Sequence, residues 1–479
     1  MNDDSSIVRL AAILRGEAER SRPGDRLPSS RELMRRHGVS PVTVSRAIAQ
    51  LTAEGRIVTR PGSGAFVAPA RGYAAEAPDL SWQTVALGDR VVDDSAIAGL
   101  LARPADGVIP LTGGYLTPDL RPMKALSAAA ARAVRRPESW SLPPLNGIAG
   151  LRRWFASEAG GAATPDDVLV ASGGQAGLTH AFRSLAAPGE PVLVETPTYP
   201  GALAAAKAAG LRPTAVPIDQ DGVRPDLLAE AFAVTGARVF LCQPTLHNPT
   251  GATLTPERRQ QVLAVARAAG AFVIEDDYAR YLGDGPAPPS LGSMDTHGTV
   301  VHIISLSKIS APSMRVAGVV AHGPAAHRLR ASQVVESFFV ARPLQETALE
   351  FVTSPGWRRH LAAVRQEIAA RQEALLTGLA RHVPEAEVHL RPRGGLHAWL
   401  RLPQGTDEAA VVEAAQRRGV TVSPGRIYYP SEPPGARLRV THIAATGLAE
   451  LDEGIRRLGA AFRDQTGSPA GWQERRGHP

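Results

Sequence analysis

Residues 300–315, VVHIISLSKISAPSMR, decide how the long C-terminal part of this chain is read. The run Val300–Ile304 is apolar and β-branched, the pattern of a buried strand. Lys308 then follows the strand end among Ser305, Ser307 and Ser310, with Arg315 seven positions on. A partly desolvated amine in such a place is a nucleophile suited to a Schiff base with an aldehyde. Hydroxyls and an arginine beside it suit a phosphate. Taken alone, the stretch describes a solvated surface lysine equally well, so the rest of the chain has to distinguish the two.

From about Val108 onward, strands alternate with Ala-rich helices. Val168–Ala171, Pro191–Glu195, Arg238–Cys242 and Phe272–Ile274 read as strands beside Val300–Ile304, with helices such as Ala176–Leu185 and Pro256–Ala269 between them. That alternation predicts an α/β domain with a mostly parallel sheet, whose ligands bind beyond the carboxyl ends of the strands.

Each strand end carries a different group. Ser172-Gly173-Gly174-Gln175 opens a helix and offers backbone N–H groups to a phosphate, although a tight turn explains the glycines as well. Tyr199, between Pro197 and Pro200, can stack on a planar ring or merely pack on the surface. Asn248 precedes a proline, is held extended, and can offer its amide to a ligand oxygen. Glu275-Asp276-Asp277 repel one another unless a cation or a hydrogen-bond donor is present. A divalent metal is one reading of them, but no additional carboxylate cluster accompanies it, so no metal is expected. Together the five strand ends meet the needs of pyridoxal 5′-phosphate: an amine for the aldehyde, an acid for the pyridine nitrogen, donors for the phenolate and a phosphate pocket.

In order and wording these motifs (SGGQ, TPTYPG, HNPTG, EDDY, then SLSK with Arg315) resemble fold-type I pyridoxal-phosphate enzymes of the aspartate aminotransferase family, over Val108–Arg463. The resemblance implies that Lys308 is the Schiff-base lysine and that Asp276 pairs with the pyridine nitrogen. It gives Tyr278 and Asn248 to the phenolate, Tyr199 to the ring, and Gly173, Gly174, Gln175, Ser305, Ser307 and Arg315 to the phosphate. Arg439 takes the substrate carboxylate, with Arg437 as competitor, and Arg393–His397 opens a small C-terminal α/β subdomain.

The N-terminal part has another pattern. Residues 6–20 place apolar residues at 7, 10, 11 and 14, a helical spacing. Ser29 with Glu32 makes a capping box for a short helix, Ser30–His37, which Gly38 ends. Ser40 as N-cap and Pro41 as first residue open a third helix to about Glu54. Val44, Ile48 and Leu51 share one face of it, and Thr43, Arg46 and Gln50 are expected away from that face. Short strands at Arg56–Thr59 and Ala65–Ala68 flank a basic glycine-rich tip, Arg60–Gly64, which reads as a wing. This is helix-turn-helix architecture. The run Leu27–Val67 resembles the winged helix-turn-helix of GntR-type bacterial regulators over its whole length. The resemblance implies DNA contacts by Arg31, by Ser40, Thr43, Ser45 and Arg46, and by Gly62 and Gly64 of the wing. Where that family usually has arginine, this chain has Pro41.

Charge agrees with that division. Residues 1–71 hold 12 Arg against 7 Asp and Glu, hence +5 of the chain's +7, which points to a nucleic-acid partner for this module. With one cysteine, Cys242, no intrachain disulfide forms, so a reducing compartment is expected. The acidic start MNDDSS has no apolar signal region, and no run reaches the ~18 apolar residues of a membrane span. A cytoplasmic protein is expected. Four segments follow: 1–70 winged helix; 71–107 linker, rich in Ala, Pro, Gly and Asp with one helix candidate at Asp93–Ala102; 108–463 aminotransferase-like domain; and 464–479 disordered tail. The combination resembles the MocR class of bacterial transcription regulators. It implies a homodimer on promoter DNA that senses pyridoxal phosphate, or a small amino compound through it. A working aminotransferase with an attached DNA-binding module is the competing reading.

Overall fold

Three helices and a hairpin make up the N-terminal part of the computed structural model, which describes residues 3–60, 63–68, 79–88 and 92–466. The chain divides into two units, 1–91 and 92–479. In the first, α1 (Asp3–Arg20), α2 (Ser30–His37) and α3 (Pro41–Ala53) precede an antiparallel hairpin of β1 (Ile57–Arg60) and β2 (Gly64–Val67). Leu10 and Leu14 of α1, Leu33 of α2, and Val44, Ala47 and Leu51 of α3 close one core with Ile57 and Val67. Gly38 turns between α2 and α3 at φ 62°, ψ 36°, a left-handed conformation that glycine adopts without a Cβ penalty.

Two local expectations change here. Ser29 Oγ accepts the Glu32 N–H at 3.3 Å, but the Glu32 carboxylate pairs with Arg35 at 2.9 Å, so only half of the capping box forms. Thr43 belongs to the cap of α3 and not to its exposed face. It is 2% exposed, with its Oγ1 2.9 Å from Ser40 Oγ and its N–H bonded to that oxygen at 3.2 Å. Arg15 grips Glu54 through two contacts of 2.7 and 3.0 Å, tying α1 to the end of α3. The short helix α4 (Ser81–Leu87), exposed along its length, follows.

The second unit begins with α5 (Ser95–Leu101), inside the stretch expected to be linker, and β3 (Ile109–Pro110). Helices α6 (Met123–Val134) and α7 (Ala149–Ala159) follow. Then come β4 (Val168–Ala171), α8 (Gly174–Leu185), β5 (Pro191–Thr196), α9 (Pro200–Ala208), β6 (Arg212–Asp219) and β7 (Gly222–Val223). The alternation continues through α10 (Pro225–Thr235), β8 (Val239–Cys242), α11 (Pro256–Ala268), β9 (Phe272–Asp277), α12 (Leu291–Met294), β10 (Val300–Ser305) and β11 (Ala317–Val320).

These strands form one sheet in the order β4-β11-β10-β9-β8-β5-β6-β7. From β10 to β6 all pairings are parallel, whereas β11 runs antiparallel to both neighbours. Four of the five strands read from sequence are therefore adjacent, and β11 separates the fifth, β4, from them. Successive residues face opposite layers: Val192 and Val194 pack with α8 and α9, while Leu193 packs with α10 and α11. Burial on both faces is why these strands read as continuous apolar runs.

Helices α13 (Gly323–Ser337), α14 (Arg342–Val352) and the long α15 (Pro355–His382) lead to a smaller layer. There β12 (Glu387–Val388), β13 (His397–Arg401), α16 (Glu408–Arg417), β14 (Val420–Thr421), β15 (Ser423–Pro424), β16 (Arg437–Thr441) and α17 (Gly447–Thr466) follow in turn. The sheet β12-β13-β16-β15 is antiparallel, and β14 pairs in parallel with β3 from the start of the unit. Helix α17 runs past the expected start of the tail, its last turn held by Arg418 on Asp464 at 2.7 and 2.8 Å. The rest of the expected tail, like residues 69–78, lies outside the described residues.

One contact tests this packing. Phe155 is fully buried, and a Cβ at Gly318 of β11 would lie 2.4 Å from its Cγ. Gly318→Val should cost about 2–3 kcal/mol and Phe155→Ala about 3–5 kcal/mol. Combined, they should cost clearly less than the sum, because the new branch fills the vacated space. Urea unfolding of the four chains measures this, and strictly additive costs would contradict the contact.

Candidate functional site

Beyond the carboxyl ends of the central strands lies a cleft that gathers side chains from several strand ends, Asp276, Asn248 and Ser305 among them. Lys308, in the turn after β10, is at its centre. Part of the side chain faces the cleft, and the amine stands 3.8 Å from the centre of the Tyr115 ring. It makes no hydrogen bond among the described residues. Burial, then the positive charge of Arg439, push its pKa down to about 7; Asp276 pulls the other way, and Arg315 adds a smaller downward push.

The alternation of β9 sorts its three carboxylates. Glu275 and Asp277 point to one face, where Glu275 accepts the Leu291 and Gly292 N–H groups at 2.9 and 2.8 Å. Asp277 accepts from His302 Nε2 at 3.0 Å and from Arg280 at 3.1 Å. Both are thereby partnered within the protein. Asp276 points the opposite way, into the cleft, 4% exposed, with Gln243 Nε2 donating to its Oδ2 at 2.7 Å. Burial raises its pKa to about 6, although the Gln243 bond pulls the other way.

Asn248, Tyr199, Tyr278 and Arg439 also line the cleft. Asn248 Oδ1 accepts from Arg439 Nη1 at 3.2 Å, which leaves the amide nitrogen to a ligand. The Tyr278 hydroxyl donates to the Leu246 carbonyl at 2.6 Å, so its proton is spent there and only its lone pairs face the cleft. Arg439 is 2% exposed, and its Nη2 donates to the Gly113 carbonyl at 2.8 Å. Arg437, its competitor in the sequence, bonds the Ala436 carbonyl and does not line the cleft.

An anion cradle closes one end. Gly174 begins α8, and Gly173 before it has φ 85°; a Cβ there would lie 2.6 Å from Arg315 Nη2. Only glycine lets the guanidinium approach this helix start. Arg315 donates to Ser307 Oγ at 3.4 Å and to the Ser172 carbonyl at 3.0 Å, and Ser305 Oγ accepts the Ser307 N–H at 3.3 Å. Gln175 lines the cleft and donates to the Gly201 carbonyl at 2.7 Å.

Several cleft residues escaped the sequence reading. Gln243 holds Asp276 and, through Oε1, the Asn248 N–H at 3.1 Å. His397 accepts from Arg439 Nη1 at 3.2 Å, so its Nε2 carries the lone pair and the ring is neutral. Tyr115, Gly113 and Gly114 enter from the chain before α6, and Ile97, Leu100 and Leu101 from α5. A run of Gln-Pro at a strand end was the one available signal for Gln243; no local pattern marks the others.

In the first unit, Arg31, Ser40, Ser45 and Arg46 are exposed. Arg31 and Arg46 enter no ion pair among the described residues. Gly64 has φ 107° and packs on Arg26, and Gly62 lies outside the described residues.

Comparison with known proteins adds to this geometry. Residues 111–458 match the family of class I and II aminotransferases, and residues 11–67 match the bacterial regulatory proteins of the gntR family. The chain is 30% identical to the uncharacterized HTH-type transcriptional regulator YdcR of Escherichia coli (strain K12), over 86% of this chain and 88% of that one. It is 30% identical to the HTH-type transcriptional regulator TauR of Rhodobacter capsulatus, over 93% of each. Among solved structures, the α-aminoadipate aminotransferase of Thermus thermophilus, complexed with N-(5′-phosphopyridoxyl)-L-leucine, is similar at 29% identity and a TM-score of 0.73. That likeness covers 78% of this chain and 96% of that one.

The charge balance around Lys308 is measurable directly. Its labelling by an amine-directed acylating reagent, read by peptide mass spectrometry, should rise with pH through a midpoint near 7. Arg439→Met removes a lowering charge and should move the midpoint up; Asp276→Asn removes a raising one and should move it down. A midpoint at the ordinary lysine value of about 10.4 would refute the environment described.

Proposed function

This chain belongs to the family of class I and II aminotransferases, and from that premise we propose that its large unit holds pyridoxal 5′-phosphate and reports on an amino compound to a DNA-reading head. It is a GntR-type DNA-binding regulator with an aminotransferase-like domain, of the MocR kind. The observation that supports the sensing role is the convergence of Lys308, Asp276, Asn248, Arg439 and the glycine cradle in one cleft.

The residues fit the cofactor. The Lys308 amine, without a hydrogen bond among the described residues, stands where an aldehyde has to be captured. Asp276, held by Gln243, faces the cleft as the partner for a pyridine nitrogen. The Gly173–Arg315 contact leaves room for no side chain and so keeps N–H groups and a guanidinium open to a phosphate. Bound there, the cofactor supplies an aldehyde for amines and a ring that accepts electrons. Arg439 receives the carboxylate of the amino compound, Asn248 offers its amide to the phenolate oxygen, and Tyr199 stacks on the ring. Tyr278 takes part as an acceptor, or as a donor once it releases Leu246.

Binding at the cleft shifts the balance between two conformations of the chain and thereby its affinity for promoter DNA. The head reads that DNA with Arg31 and the exposed start of α3, Ser40, Ser45 and Arg46, and with its wing. Two chains make the working unit, the arrangement in which helix-turn-helix proteins read two half-sites, and the protein acts in the cytoplasm. No described helix is long and apolar enough to cross a membrane.

The test is a mobility shift with the upstream intergenic DNA, with and without pyridoxal phosphate and added amino acids. Lys308→Ala should abolish the response to amines while leaving DNA affinity within about twofold. Arg46→Ala should weaken binding and lower the salt slope by about 1. An unchanged amine response in Lys308→Ala would overturn the sensing role. Steady turnover with a 2-oxo acid acceptor would favour the enzymatic reading, which the complete residue set supports.

A further inference from the structure

The lining of the cleft separates into a charged half and a half without charge. Among the described residues its cationic side chains are Lys308, Arg315 and Arg439, and the proposed function gives each a partner: an aldehyde, a phosphate and one carboxylate. The remaining wall is made by Ile97, Leu100 and Leu101 of α5, with Tyr115, Leu178 and His397. Helix α5, SAIAGLL, has no charged residue. His397 accepts from Arg439 and is therefore neutral.

Position makes this wall relevant to the ligand. The Gly113 carbonyl accepts from Arg439 at 2.8 Å, and a Cβ on the same Gly113 would lie 4.0 Å from the Leu100 carbonyl. The end of α5 thus borders the segment that holds the carboxylate arginine. On the other side, a Cβ at Gly114 would stand 3.3 Å from His397 Cε1 and 3.4 Å from Lys308 Nζ, so the glycine keeps open the space between the amine and the neutral ring. A ligand with its carboxylate on Arg439 therefore lies beside the end of α5.

We infer that this site selects amino compounds with one carboxylate and an uncharged, apolar side chain, which Ile97, Leu100 and Leu101 receive. The inference rests on the proposed cofactor reading and specifies the ligand class for it. A second carboxylate would lose its hydration against a wall that has no cation among the described residues. A terminal ammonium would likewise lose its hydration beside α5, which has no carboxylate to receive it. Selection of this kind works by leaving the wrong ligand's charge unpartnered.

The full chain, loaded with pyridoxal phosphate, is titrated with L-norleucine, L-2-aminoadipate and L-lysine while the cofactor absorbance is followed. Norleucine should saturate at least about tenfold more tightly than either charged ligand. Leu100→Arg and, separately, the more exposed Leu101→Arg should shift the ratio toward aminoadipate by about tenfold, with the cofactor band of the free protein unchanged. Tighter binding of aminoadipate or lysine by the unaltered chain overturns the inference. So does an unchanged ratio in the two arginine variants, while the cofactor reading survives either result. Absence of any cofactor band dependent on Lys308 removes both.

Discussion

A lysine cannot be enclosed beside two arginines and remain an ordinary ammonium ion. The site is arranged around that constraint. Lys308 is drawn in among Arg315 and Arg439, and burial together with their charge makes proton loss easy near neutrality. Asp276 limits the effect, and its own pKa is raised by the same burial. Burial thus sets both groups at values where each can change state with modest free energy. A solvated lysine and a solvated aspartate would be locked as ions across that range.

Strand geometry supplies the separation that this balance needs. If β9 presented Glu275, Asp276 and Asp277 on one face, three carboxylates would face Lys308 and restore its proton. The pleat sends two of them to the opposite layer, where His302, Arg280 and two backbone N–H groups satisfy them. Only one acid remains in the cleft, and Gln243 fixes it in direction. Likewise, the antiparallel β11 brings Gly318 under Phe155 and carries the chain on from Arg315, which lies across the start of α8.

How far the sequence could be read follows from the distance over which each role is set. Lys308, Asp276, Asn248, Tyr199 and the Gly173–Gln175 turn each sit directly after an apolar run, so strand and ligand group are adjacent in the chain. The head was legible for the same reason, because caps, periodicity and turn glycines are local. Thr43 was misplaced because helical spacing puts it at the border of the apolar face, and the cap bond to Ser40 then draws it inward. His397 and Gly113 acquire their roles through Arg439, up to 326 positions away in the chain, and Tyr115 through Lys308; their surroundings in sequence carry no sign of it. For α5 the Ala-, Pro- and Gly-rich context suggested a linker, whereas its apolar side chains face the cleft.

The pairing of β3 with β14 has a mechanical meaning. It stitches the first strand of the second unit to the smaller layer and not to the large sheet. Ile109 and Leu111 share that layer's buried core, so any displacement of the layer carries the backbone at 109–111 with it.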